Sequence, residues 1–128
     1  MTIKPVYFLV NDLFFATKMV KTAQALSLET RAFDSADQLV QAAQEKSPAL
    51  VILDCERLEK EAFQVLQRFR ADEQLKGVPQ IGYLSHVAGD LKREMRDAGC
   101  AQVFNKSEFS KELENILARY TGSVSSRI

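Results

Sequence analysis

Two runs of the chain, VYFLV at residues 6–10 and LVIL at residues 50–53, are apolar at every position. A strand with one wet face alternates apolar and polar residues. A strand covered on both faces does not, and such strands belong to parallel sheets sheathed by helices. Similar short runs, rich in β-branched and aromatic residues, lie at 30–33, 80–84 and 102–104 and read as further strands. The segments between them carry helical spacing. Phe15, Met19, Thr22, Ala23 and Leu26 fall on one helix face, as do Phe109, Leu113, Ile116, Leu117 and Tyr120. Ser35 stands as an N-cap before Ala36, Leu39, Val40 and Ala43. Leu58, Ala62, Leu66 and Phe69 mark a third helix, and Leu91, Met95 and Ala98 a fourth, with Gly99 placed to end it. Strands and helices alternate, five of each. Right-handed crossovers then predict an α/β three-layer sandwich around a parallel sheet.

The 128 residues suit one domain, expected over 1–120, with a small polar tail at 121–128 that is frayed or opens a linker. Lys+Arg and Asp+Glu both number 17, a balance that argues against a nucleic-acid or membrane-surface binder. No apolar run approaches the roughly 20 residues that span a bilayer. The N-terminus lacks the small-residue cleavage site of a secretion signal. Two isolated cysteines, Cys55 and Cys100, fit free thiols in a reducing cytoplasm.

Chemistry in an open parallel sheet gathers beyond the carboxyl ends of its strands. Here the first strand ends in Asn11-Asp12, the third in Asp54, the fourth in Ser85-His86 and the fifth in Asn105-Lys106. Two adjacent carboxylates repel unless a cation lies between them, and Mg²⁺ prefers such hard oxygen ligands. A lysine and a hydroxyl opposite the metal would hold phosphoryl oxygens. Plainer roles exist for each residue: Asp54 as a turn cap or a partner of Lys106, Asp12 as an N-cap, Ser85 as a turn residue, and Glu56 as a solvated acid. His86 is the only histidine, so no zinc cluster or histidine triad can be built, and it reads as a rim residue. Cys55 reads as a half-buried, inert thiol. Phe8, Phe14, Phe15, Phe63 and Phe69 read as core.

Four segments in order, VYFLVND, ALVILDC, PQIGYLS and AGCAQVFNKS, resemble the signature segments of the receiver domain of bacterial two-component response regulators. The resemblance covers residues 4–120. It implies a flavodoxin-like fold, a five-stranded parallel sheet of order 2-1-3-4-5 flanked by five helices. It further implies that Asp54 takes a phosphoryl group from a phosphohistidine or a small phosphodonor. By the same resemblance Mg²⁺ is bound by Asp12, Asp54 and the backbone carbonyl of Glu56, with Asn11 a weak ligand, while Ser85 and Lys106 hold the phosphoryl group. The implied protein is no enzyme beyond self-catalysed phosphoryl transfer and autodephosphorylation. Its implied partners are a sensor histidine kinase or phosphotransfer protein and a downstream protein on the face of the fourth helix, fifth strand and fifth helix, where Lys92, Arg93, Glu94 and Arg96 would select it. Homodimerisation is a further route for the signal.

The chain departs from that family at four positions. Asn11 replaces an acid, which lowers the charge that attracts Mg²⁺. Ser107 follows Lys106 in place of a proline in a cis peptide, so the loop is strained or follows a trans path that moves Lys106. Val103 stands where an aromatic switch residue is common, and His86 where a small residue is usual. A degenerate receiver that binds its partner without phosphorylation is therefore the second expectation. A flavodoxin-like nucleotide or flavin binder is the third, disfavoured because VNDLFFATK contains no glycine to cradle a phosphate.

Overall fold

The computed structural model describes residues 4–85 and 89–122. His86 and the tail residues 123–128 lie outside that range. The apolar runs form strands β1 (Val6–Leu9), β2 (Thr30–Phe33), β3 (Leu50–Asp54), β4 (Gln80–Leu84) and β5 (Gln102–Asn105), all parallel, in the order β2-β1-β3-β4-β5. β1, β3 and β4 are buried at every residue, the polar Asp54 and Gln80 included, as strands covered by helices on both faces are. At the β2 edge, Arg31 and Ala32 face solvent.

Side chains alternate between two cores. Tyr7, Leu9, Val51 and Leu53 point to helices α2 (Ala36–Glu45), α3 (Glu59–Ala71) and α4 (Gly89–Asp97). Val6, Phe8, Leu50, Ile52, Ile81 and Tyr83 point to α1 (Leu13–Ala25), α5 (Lys106–Lys111) and α6 (Leu113–Thr121). Fully buried Phe8, Phe69, Phe109 and Ile52 each contribute about 1.5–3 kcal/mol of transfer free energy. Ser35 accepts from the Gln38 N–H as the α2 cap, and Gly99 follows α4 at φ 122°, where a side chain would be strained.

Three expectations are corrected. Phe14 is 92% exposed and Leu13 83%, because both precede the Phe15–Met19–Ala23 stripe that turns inward. The last helix is divided at Glu112 into α5 and α6, giving six helices among the described residues, although the Glu112 N–H still bonds to Glu108 and its carbonyl accepts from Ile116. Cys55 is fully rather than half buried. It lies beside Cys100, and that neighbour together with burial pushes its thiol far above the usual range, an inert state.

Candidate functional site at the carboxyl edge of the sheet

Asp54 is the last residue of β3 and is only 2% exposed. Its Oδ1 accepts from the backbone N–H groups of Glu56 at 3.1 Å and Arg57 at 2.9 Å, which turns the chain from β3 towards α3. The turn-cap role is therefore real. It occupies one oxygen only, and the other, Oδ2, is buried without a hydrogen-bond partner.

Asp12 follows β1 and caps α1, accepting from the Phe15 N–H at 3.2 Å. Its Oδ2 lies 3.5 Å from the Lys106 ammonium, with the two side chains 22% and 34% exposed. The Asp12 carboxyl is held below its ordinary range, first by the Phe15 N–H and then by Lys106 and Arg57, with partial desolvation opposing them.

Lys106 opens α5 directly after β5. Asn105 caps this helix, its Oδ1 accepting from the Ser107 N–H at 3.0 Å and the Ser107 hydroxyl at 2.8 Å. No peptide bond among the described residues is cis, so the Ser107 loop takes the trans path. Lys106 nevertheless reaches Asp12, steadied by the rings of Phe15 at 5.1 Å and Tyr83 at 6.0 Å.

Of the other expected site residues, Ser85 is half-buried one residue beyond β4, with no hydrogen bond to Asp12, Asp54 or Lys106 among the described residues. The Glu56 side chain points to solvent. Asn11 is engaged by a residue that sequence reasoning missed: Arg57 Nε donates to its Oδ1 at 3.1 Å. The available signal was a lone cation three residues past Asp54, at the mouth of an acidic site. Tyr83 was missed as well. Its phenol is raised far above its usual value by burial and then by the nearby carboxylates of Asp54 and Asp12.

The edge thus combines a buried carboxylate, a second carboxylate, an ammonium and two inward-pointing backbone N–H groups. Such a set can neutralise a tetrahedral oxyanion beside a nucleophilic oxygen.

No protein-family model and no curated protein sequence matches the chain. Solved structures do. A response regulator from Hahella chejuensis aligns over 91% of this chain and 94% of its own, with TM-score 0.81 and 17% identity. The receiver domain of a sensor histidine kinase from Pseudomonas aeruginosa, solved with a magnesium ion coordinated in its active-site cleft, covers 95% of this chain and 100% of its own at TM-score 0.78 and 23% identity. A phosphorylated cyanobacterial phytochrome response regulator covers 97% and 98%, with TM-score 0.79 and 14% identity. With strand order β2-β1-β3-β4-β5 and flanking helices in register over nearly its whole length, the chain has the flavodoxin-like fold of a response-regulator receiver domain.

Proposed function

We propose that this chain is a phosphorylation-dependent signalling switch in which Asp54 is the phosphoacceptor. The observation that carries the reading is the Asp54 carboxylate: buried at a strand end, with one oxygen unpartnered, beside the Asp12–Lys106 pair. A carboxylate oxygen attacks the phosphorus of a phosphohistidine or a small acyl phosphate. The bond from phosphorus to the donor breaks, and its electron pair leaves with the donor, so an aspartyl phosphate forms. Lys106 neutralises the transferred oxygens. The N–H groups of Glu56 and Arg57, which now bind Oδ1, are placed to bind them too. Ser85, at the same sheet edge, supplies a hydroxyl.

The donor set fits a magnesium ion. Asp54 Oδ2 is the kind of orphaned buried oxygen that a hard cation satisfies, and Asp12 Oδ2 is bound only by a long ion pair. Asp12, Asp54 and the Glu56 carbonyl would hold it, and the ion would supply charge neutralisation at the transferring phosphoryl group. Asn11 contributes little, because its oxygen is turned to Arg57. Asn11→Asp is expected to tighten Mg²⁺ binding about tenfold, since a charged ligand replaces a neutral one. Calorimetric titration checks this, and equal affinity in the two proteins places Asn11 outside the metal set.

The donor is a sensor histidine kinase or phosphotransfer protein, for which exposed Leu13 and Phe14 offer an apolar foothold at the rim, next to Lys18 and Lys21. The output is a protein on the face of α4, β5 and the α5–α6 segment, where Lys92, Arg93 and Arg96 are exposed, or a second copy of the chain. Among the described residues no helix is long and apolar enough to cross a membrane, and we place the switch in the cytoplasm. A second reading is a degenerate receiver acting as a phosphorylation-independent interaction module. It is favoured by the turn-capping duty of Asp54 and the Arg57–Asn11 bond. Intact-protein mass after incubation with acetyl phosphate and Mg²⁺ separates the two. A single phosphoryl adduct that disappears in Asp54→Ala supports the switch, and a folded protein without adduct supports the module.

A further inference from the structure

Among the described residues, only two buried side-chain polar atoms have no hydrogen-bond partner: Asp54 Oδ2 and the hydroxyl of Tyr83. They belong to neighbouring strands and to paired positions, since Asp54 lies opposite Tyr83 in the β3–β4 register. Paired residues of parallel strands point to the same face, so both side chains enter the core beneath α1 and α5.

The Tyr83 ring has little freedom. It stacks on Phe109 of α5 at 5.1 Å and 23°, and meets Phe15 edge-on at 4.8 Å. The Lys106 ammonium lies 6.0 Å from the ring centroid. Pairing the two oxygens takes a small shift of the Asp54 carboxylate towards the phenol, and leaving a buried donor and a buried acceptor on the same face both unpaired is costly enough to favour that shift. The pairing has a consequence for Asp54. Its Oδ1 is held by two backbone N–H groups, so a donor on Oδ2 would fix the carboxylate at both oxygens and damp its nucleophilicity.

We propose that Tyr83 is a positioning residue for Asp54: its O–H donates to Oδ2 in the resting protein, and transfer of a phosphoryl group to the carboxylate, which makes it an acyl phosphate, breaks that bond and frees the ring packed on Phe109. The second half rests on the reading of Asp54 as phosphoacceptor, and the first half does not. The device suits a chain with aliphatic Val103 on β5, because the aromatic group that registers the change is then on β4, one ring away from α5.

Tyrosine is the main near-ultraviolet chromophore of this chain, which has three tyrosines and no tryptophan. The test is a four-membered cycle of tyrosine difference absorbance: wild type, Tyr83→Phe, Asp54→Ala and the double variant, with Asp54→Asn added should Asp54→Ala fail to fold. A spectral change on altering Asp54 that is present with Tyr83 and lost in the Y83F background supports the hydrogen bond. The same change in both backgrounds, or none in either, overturns it. Tyr83→Phe keeps the ring and is expected to accept phosphate from acetyl phosphate about fivefold faster, because a charge-assisted donor no longer stabilises the resting carboxylate. An equal or slower rate overturns the positioning role. If no variant gains phosphate, the phosphoacceptor reading falls, while the spectral cycle still decides whether Tyr83 holds Asp54.

Discussion

Gly82→Ala is expected to cost about 2–3 kcal/mol and to lower the melting temperature by roughly 10 °C, a large loss for one added methyl group. Gly82 sits in the middle of β4, between Leu53 of β3 and Val103 of β5. A Cβ at this position would collide with the Cys55 sulfur and lie 3.3 Å from the Leu53 carbonyl oxygen and 3.5 Å from the Cys100 sulfur. Neither thiol can retreat into solvent, since Cys55 is fully buried and Cys100 nearly so. The glycine therefore serves packing: its missing side chain is the space that the two sulfurs occupy. The same argument predicts a rescue. Adding Cys55→Ala to Gly82→Ala removes the closest contact and is expected to restore at least half of the lost stability, an interaction that a double-mutant cycle by thermal or urea unfolding would measure. Strict additivity of the two substitutions would mean that the clash is relieved elsewhere.

Much of this architecture could be read from the order of residues, and the reason is specific. Parallel strands buried on both faces must be apolar throughout, so residues 6–10 and 50–53 declared their environment without any partner being known. The placement of chemistry at strand ends puts Asp12, Asp54 and Lys106 at one sheet edge, although the acid that pairs with Lys106 is Asp12 and not Asp54. The misreadings have equally specific causes. Hydrophobicity alone puts Phe14 in the core, whereas helical geometry turns the residue before Phe15 away from the buried stripe. The interruption at Glu112 leaves no mark, because the apolar spacing from Phe109 to Tyr120 continues through it. Arg57 and Tyr83 were invisible for a third reason. Each matters through a partner distant in the chain, Asn11 in one case and Asp54 in the other. Those pairings follow from loop path and strand register, which local periodicity does not encode.

Lys106→Met is expected to slow phosphoryl transfer to Asp54 about a hundredfold while leaving the fold intact. The ammonium is the one lysine charge held at Asp12, and removing a preorganised donor to a developing oxyanion typically costs a factor of 10² to 10³. Methionine preserves the length and apolar contact that keep the stem against Phe15 and Tyr83, so the charge alone is lost. Stability should change little, because the Asp12–Lys106 pair is partly exposed and solvent screens it. The acid limb of stability carries a signature of the same pair. Asp12 has a lowered folded-state pKa, so its contribution is present above the unfolded value near 3.8 and is lost as pH falls through the lower folded value. Without Lys106 the Asp12 carboxyl moves up towards that unfolded value, the Phe15 N–H still holding it below. The loss then starts near the same unfolded value in Lys106→Met, but it is smaller and is complete at a slightly higher pH than in the wild type. Phosphorylation kinetics by intact mass, together with unfolding midpoints between pH 2 and 5, distinguish the cases. A hundredfold slower transfer with a near-normal midpoint at neutral pH marks Lys106 as the phosphoryl partner. An unchanged rate would mean that the ammonium serves Asp12 alone, and that the trans path through Ser107 has taken it out of the chemistry.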